Sequence, residues 1–360
     1  MRCKAIARLV ITCLLFSAGT TGLTLATGRD GGKDEASLPT ALVWPAPPEP
    51  ARIRFERTVA GAADWGMDRG WWGRAVDTIT GRHETQFVRP TGVAQRDGVL
   101  YVADPGAQSL VIFDAPRHKE LRITRVGDKS LVSPVAVAPG PAGTVYVVDS
   151  WLRQVLQLDR DGNSVRVISH ADLQRPSSIA FDDARQRLYV GDSKAHVVHV
   201  FDGEGRKIES LGAIGTGPGE FNSPTHLALT SDGSLVVTDA LNFRVEVFDA
   251  DGHFRFQLGK LGDGAGDFAA PKGVAVDRDG RFYVADAMFD AVQVFDAAGR
   301  LLLGFGEQGS QAGQFWIPNG LYVSTDDRLF VADAYNRRIQ VFQILFPPGG
   351  QADGARGATQ

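Results

Sequence analysis

Ala270-Pro271-Lys272-Gly273-Val274-Ala275-Val276, then Phe282-Tyr283-Val284-Ala285-Asp286, then Val292-Gln293-Val294-Phe295-Asp296: this frame is written six times along the chain. Its first copy reads Arg89-Pro90-Thr91-Gly92-Val93-Ala94, Leu100-Tyr101-Val102-Ala103-Asp104 and Leu110-Val111-Ile112-Phe113-Asp114. The other copies begin at Pro134, Pro176, Pro224 and Pro318. The Asp closing the second phrase falls at 104, 149, 192, 239, 286 and 333, in steps of 45, 43, 47, 47 and 47 residues.

Within each copy, short runs rich in β-branched and aromatic residues are punctuated by Gly and Asp, as strands separated by tight turns require. In the fifth copy the strands are Gly273–Val276, Phe282–Ala285, Val292–Phe295 and Leu301–Phe305. A period of about 40–45 residues with several short strands per unit marks a β-propeller blade, whereas solenoid repeats are shorter. Units apolar on both faces suit sheets packed radially around a channel. The expected fold is all-β, a six-bladed propeller.

The sixth copy lacks an outer strand: Ile339-Gln340-Val341-Phe342 leads into Phe346-Pro347-Pro348-Gly349-Gly350. Upstream of the first copy, Arg52-Ile53-Arg54-Phe55-Glu56-Arg57-Thr58-Val59 resembles the outer strand of the fourth, Phe254-Arg255-Phe256-Gln257-Leu258. Residues 53–60 are therefore expected to close the ring as the outer strand of the last blade.

These residues resemble the NHL repeat of six-bladed propellers over roughly 52–346. Asn242-Phe243-Arg244-Val245-Glu246-Val247-Phe248-Asp249 and Asn336-Arg337-Arg338-Ile339-Gln340-Val341-Phe342 match best, and the connector Gly215–Pro224 is typical. The other four copies lack the Asn and Arg pair. The approach Trp44-Pro45-Ala46-Pro47-Pro48-Glu49-Pro50 looks like that of extracytoplasmic bacterial members.

Residues 1–26 read as a secretory signal peptide. Arg2, Lys4 and Arg8 precede the apolar run Leu9–Ala18, and small residues follow near Ala26. An uncleaved anchor is the alternative, since Leu9–Ala26 approaches the length of a spanning helix. The expected location is periplasmic or secreted, or the inner membrane if the anchor stays. Both cysteines, Cys3 and Cys13, lie in this segment. Residues 27–51 read as a Pro- and Gly-rich linker and 347–360 as a disordered tail. In the insertion 64–80, Trp72, Val76 and Ile79 fall at helical spacing, with Trp65 and Trp71 beside them. The expected helix caps one end of the propeller or presents a partner-facing patch. The net charge of −4 argues against a nucleic-acid binder.

The positions after each repeat proline line the channel. Among them, His226, Lys272 and Asn319 carry the strongest chemistry. One histidine does not make a zinc site, which needs three or four converging ligands. The resemblance to propeller lyases with several channel histidines, or to lactonase-type propellers with calcium, is therefore not matched by a full ligand set. No cofactor is expected, with zinc or calcium at the channel mouth only under an enzymatic reading. Asp104, Asp149, Asp192, Asp239, Asp286 and Asp333 recur in every blade, so a structural role per blade is expected, with side-chain oxygens accepting loop N–H groups.

Loops on a rigid scaffold commonly carry function. Two residues beyond the repeat Asp stand Trp151, Leu241, Met288 and Tyr335, with Arg153, Arg337 and Lys272 at the rim. The expected function is a monomeric binding or scaffolding module for a protein, peptide or glycan of the cell envelope. The alternative is a metal-assisted lyase or hydrolase near His226.

Overall fold

A computed structural model describes residues 41–67 and 87–346. Each blade is a four-stranded antiparallel sheet that we letter A to D from the channel outwards. In blade 5 these are Pro271–Val276, Phe282–Asp286, Ala291–Phe295 and Leu301–Phe305. Blades 1 to 4 repeat the order from Gly92–Arg96, Pro134–Pro139, Pro176–Asp182 and Pro224–Leu229. Two kinds of loop, B–C and the connector from D to the next A, share one end of the strands, here the upper face. The A–B and C–D turns share the lower face.

Blade 6 is composite. Its A, B and C strands are Pro318–Val323, Arg328–Asp333 and Arg338–Ile344. Its D strand is Ile53–Val59, antiparallel to the C strand, with Ile53 opposite Ile344 and Val59 opposite Ile339. The ring is thus closed by the N-terminal strand, as the sequence predicts. A fifth strand extends the sheet: Val43–Trp44 pairs with Arg54 and Ile53. The linker expected to run to residue 51 therefore gives way to structure earlier. Trp44 reaches back over the blade to lie 5.3 Å from Phe305 and 5.9 Å from Phe342 between ring centres, which explains why so short a strand is held.

Six apolar clusters fill the six gaps between neighbouring blades. Strands B and C are buried along their whole length in blades 1, 2 and 4, and nearly so in the others, because both faces touch a neighbour. In blades 4 to 6 the connector sends a phenylalanine (Phe221, Phe268, Phe315) into the gap, fully buried. Each ring lies on a glycine: a Cβ at Gly259, whose φ is +78°, would come 2.1 Å from the Phe268 ring. Only glycine permits both the left-handed backbone and that approach.

The helix expected over 64–80 falls largely outside the described residues. Within them, Ala63–Trp65 forms a single 3₁₀ turn ended by left-handed Gly66. Trp65 packs on Phe330 beside the cluster between blades 6 and 1 and donates its indole N–H to the Gly98 carbonyl at 3.1 Å. Trp71, Trp72, Val76 and Ile79 lie outside the described residues, as do 1–26 and 347–360.

Candidate functional site: the upper face and the channel beneath it

The repeat aspartates build the upper face. All six are fully buried at the end of strand B. Asp149 accepts the backbone N–H of Val132 and Ser133 from the incoming connector and of Trp151 and Leu152 from its own loop. Asp192 does the same with Gln174, Arg175, Lys194 and Ala195. Asp286 binds Ala269, Ala270, Met288 and Phe289. Asp104 holds Val88, Arg89 and Ala107. Each carboxylate staples a connector to a B–C loop, because buried N–H groups need acceptors and a carboxylate offers several. Four residues beyond each Asp the backbone turns left-handed, at Gln108, Arg153, His196, Phe243, Asp290 and Arg337. The residue two beyond the Asp is thereby aimed in the same direction in every blade.

Blades 4 and 6 use a different staple, made by the Asn and Arg of the repeat. Arg244 donates to Asp239 and to the connector carbonyls of Thr216, Gly217 and Glu220. Arg338 likewise binds Asp333 and the carbonyls of Ser310, Gln311 and Gln314. Asn242 and Asn336 add the carbonyls of Gly215 and Gly309. Inside blades 5 and 6, Gln293 and Gln340 accept one connector N–H and donate to one connector carbonyl. Blade 4 has Glu246 there. Its Oε1 accepts from Gly219 at 3.3 Å, and its buried Oε2 has no partner. Burial pushes the Glu246 carboxyl up to about 7, against the pull of Arg244.

On this scaffold Trp151, Met288, Leu241 and Tyr335 are 74%, 69%, 57% and 48% exposed. They stand on the upper face and do not plug the channel. Trp151 and Arg153 lie together, with Gln174, Arg175 and Lys194, around a groove of about 430 Å³ between blades 2 and 3. Leu241, Met288 and Tyr335 occupy the same loop position in blades 4, 5 and 6 and are not part of that groove. Arg337 is exposed on the loop after Asp333, and Lys272 and Asn319 are half-buried at the first position after their prolines. Sequence reasoning missed Trp316, which is 48% exposed and packs tilted against Tyr335 with ring centres 5.6 Å apart. It also missed Arg175. Arg175 lies one residue before Pro176 and Trp316 two before Pro318, in connectors whose sequences differ between blades.

His226 is not at the mouth with these residues. Its ring lies inside the channel, where Nε2 faces the Leu321 carbonyl at 3.3 Å. Burial holds the imidazole neutral and pushes it down to about 4. At this level the inner strands nearly touch: a Cβ on Gly273 would lie 2.3 Å from the Asn319 oxygen, and Gly320 donates its N–H to Thr91 at 2.9 Å. Below, a cavity of about 140 Å³ is lined mainly by Val, Ala, Leu and Ile, with Arg96 and Tyr322 towards its lower end. Asn319 does not line it. Among the described residues no group of three or more His, Cys, Asp or Glu side chains is placed to hold a metal ion. His196 and His199 do not converge: one accepts the Ser223 N–H, the other is buried against Ser210.

Closed ring and stapled connectors make this a six-bladed β-propeller, and blades 4 and 6 carry the Asn and Arg pair typical of an NHL repeat. The chain carries the corresponding family matches: the NHL repeat over residues 315–342, and DUF5128, described as a 6-bladed beta-propeller, over 168–233 and 225–305. No curated protein matches the sequence. Among solved structures, a structural genomics protein from Bacteroides thetaiotaomicron is 16% identical with a TM-score of 0.60, covering 82% of this chain and 76% of that one. A streptogramin B lyase is 13% identical with a TM-score of 0.55, covering 72% and 94%. A chain of a nidogen/laminin complex is 19% identical with a TM-score of 0.53, covering 69% and 89%. At such identities the likeness shows the fold alone, and one fold hosts many functions.

Proposed function

We propose that this protein is a binding or scaffolding propeller whose partner docks on the upper face. The observation that carries this reading is the exposure of Trp151, Leu241, Met288 and Tyr335 at one repeated loop position, joined by Trp316. Large apolar side chains gathered on one face of a rigid ring mark interaction sites. Tryptophan and tyrosine are favoured as interface anchors. The partner is a protein, peptide or glycan of the cell envelope, and the chain reaches it by export through residues 1–26. Among the described residues no helix is long and apolar enough to cross a membrane.

Affinity capture from envelope extract with the full mature chain tests this, with Trp151→Ala and Tyr335→Ala run beside it. The expected result is one species held by the parent and lost from both variants, whose melting temperatures stay within a degree or two of the parent. Equal capture by all three, or variants that melt early while binding normally, overturns it. The rival reading, a metal-assisted lyase or hydrolase at His226, has one histidine and no second ligand in the cavity to support it. Near-stoichiometric zinc or calcium in the purified protein would revive it.

A further inference from the structure

We propose that the groove between blades 2 and 3 holds a carboxylate-rich segment of a protein partner. This rests on the docking face proposed above and gives it a chemistry. Three cations enter the groove from three different loops: Arg153 from the B–C loop of blade 2, Lys194 from that of blade 3, and Arg175 from the connector between them. All three are exposed. Among the described residues none of the three side chains has an ion-pair or hydrogen-bond partner, while the backbone N–H groups of Arg175 and Lys194 are held by Asp192.

The lower face is built the opposite way. There Arg96 pairs with Asp183, Arg117 and Lys119 with Asp161, Arg160 with Asp114, Arg206 with Asp202 and Arg300 with Asp296. A chain with a net charge of −4 that neutralises its cations on one face leaves three together on the other. The buried Asp149 and Asp192 carboxylates beneath are taken up by backbone N–H groups, so the three exposed cations have no carboxylate in contact and together favour an anionic ligand. Planar guanidinium groups suit carboxylates, which they grip through two parallel N–H donors. Trp151 forms the apolar wall of the groove, over which the methylenes of a glutamate can lie.

The rest of the face selects protein over acidic glycan. Leu241 and Met288 are aliphatic and strongly exposed. Covering them is most favourable against other apolar side chains, which a polypeptide supplies more fully than a polyanionic sugar chain. The occupant is an acidic segment at blades 2 and 3, continuous with apolar residues over blades 4 to 6.

The test uses the full mature chain and a fluorescein-labelled twelve-residue glutamate-rich peptide, read by anisotropy. A glutamine-for-glutamate peptide and an oligogalacturonate serve as the other probes. The acidic peptide is expected to bind, tenfold or more weaker after Arg153→Glu or Arg175→Glu, and weaker again as salt is raised. Arg206→Glu, on the lower face, removes the same net charge and is expected to change binding less than twofold. Melting curves of all three variants exclude unfolding as the cause. Equal binding of the glutamine peptide, equal loss in Arg206→Glu, no binding at low salt, or binding of the oligogalacturonate alone each overturns the proposal. If the captured envelope partner depends on Tyr335 and Met288 but not on Arg153, the docking face stands and the acidic segment falls. If it depends on none of them, both fall.

Discussion

Nε2 of His226, on the innermost strand of blade 4, faces the carbonyl oxygen of Leu321, on that of blade 6, at 3.3 Å. The corresponding position in blade 5 is Gly273, where a Cβ would lie 2.3 Å from the Asn319 oxygen of blade 6. The neutral tautomer with its hydrogen on Nε2 is the one that satisfies the carbonyl.

A pH dependence follows. The folded His226 titrates at about 4, below the ~6.5 of an unfolded histidine. The unfolded chain therefore binds the proton first as pH falls. This site's stability contribution is full above about pH 6.5 and is lost towards pH 4, by about 2–3 kcal/mol. Chemical denaturation of the parent and His226→Leu from pH 7.5 to 4 should show the parent losing stability faster. Parallel profiles would show that His226 does not titrate in this way.

Glu246 has the opposite sign. Its folded value of about 7 lies above the unfolded one, so its proton stabilises the fold at low pH and that contribution is lost as pH rises through 7. Gln293 and Gln340 show what the site accommodates: an amide donating to the connector carbonyl at 2.7 and 2.6 Å. Glu246→Gln should stabilise the protein by about 1–3 kcal/mol at pH 8 and little at pH 4.5. A variant less stable than the parent at pH 8 contradicts this.

Gly259→Ala should cost more than about 2 kcal/mol, because the methyl meets the Phe268 ring on a left-handed backbone. Gly304, on the exposed outer strand of blade 5, has nothing nearer its Cβ than 4.0 Å. Gly304→Ala is therefore the control and should melt with the parent. Equal effects of the two substitutions would mean that the connector yields freely.

A chain beginning at Gly61 leaves the Arg338–Ile344 edge of blade 6 unpaired. It should lose more stability than a typical point mutation and aggregate on concentration. Calorimetry and light scattering read both effects. Melting indistinguishable from the parent would mean that residues 53–59 do not close the ring.

The fold was legible because each blade is one local unit written six times, so strand order, punctuation and even the missing outer strand could be compared copy with copy. The exposure of Trp151, Leu241, Met288 and Tyr335 was legible for the same reason. What escaped depends on neighbours rather than on copies. Val43–Trp44 gives no strand pattern because Trp44 is held by Phe305 and Phe342, remote in sequence. The contact of His226 is with Leu321, two blades away, and comparison of copies does not reveal it. The groove's third cation, Arg175, comes from a connector whose length varies between blades.

The composite sixth blade also imposes an order on the chain's birth. Val59 lies opposite Ile339, so the strand Ile53–Val59, paired early only with the two residues Val43–Trp44, waits for the last strand of the ring before it is paired along its length. Blades 1 to 5 can zip up one after another during translation or threading. Until residues 338–344 arrive, the assembly remains an open arc with an unsatisfied strand at each end. Completion is a single late event, and a protease or chaperone that reads free strand edges has the whole of that interval in which to act.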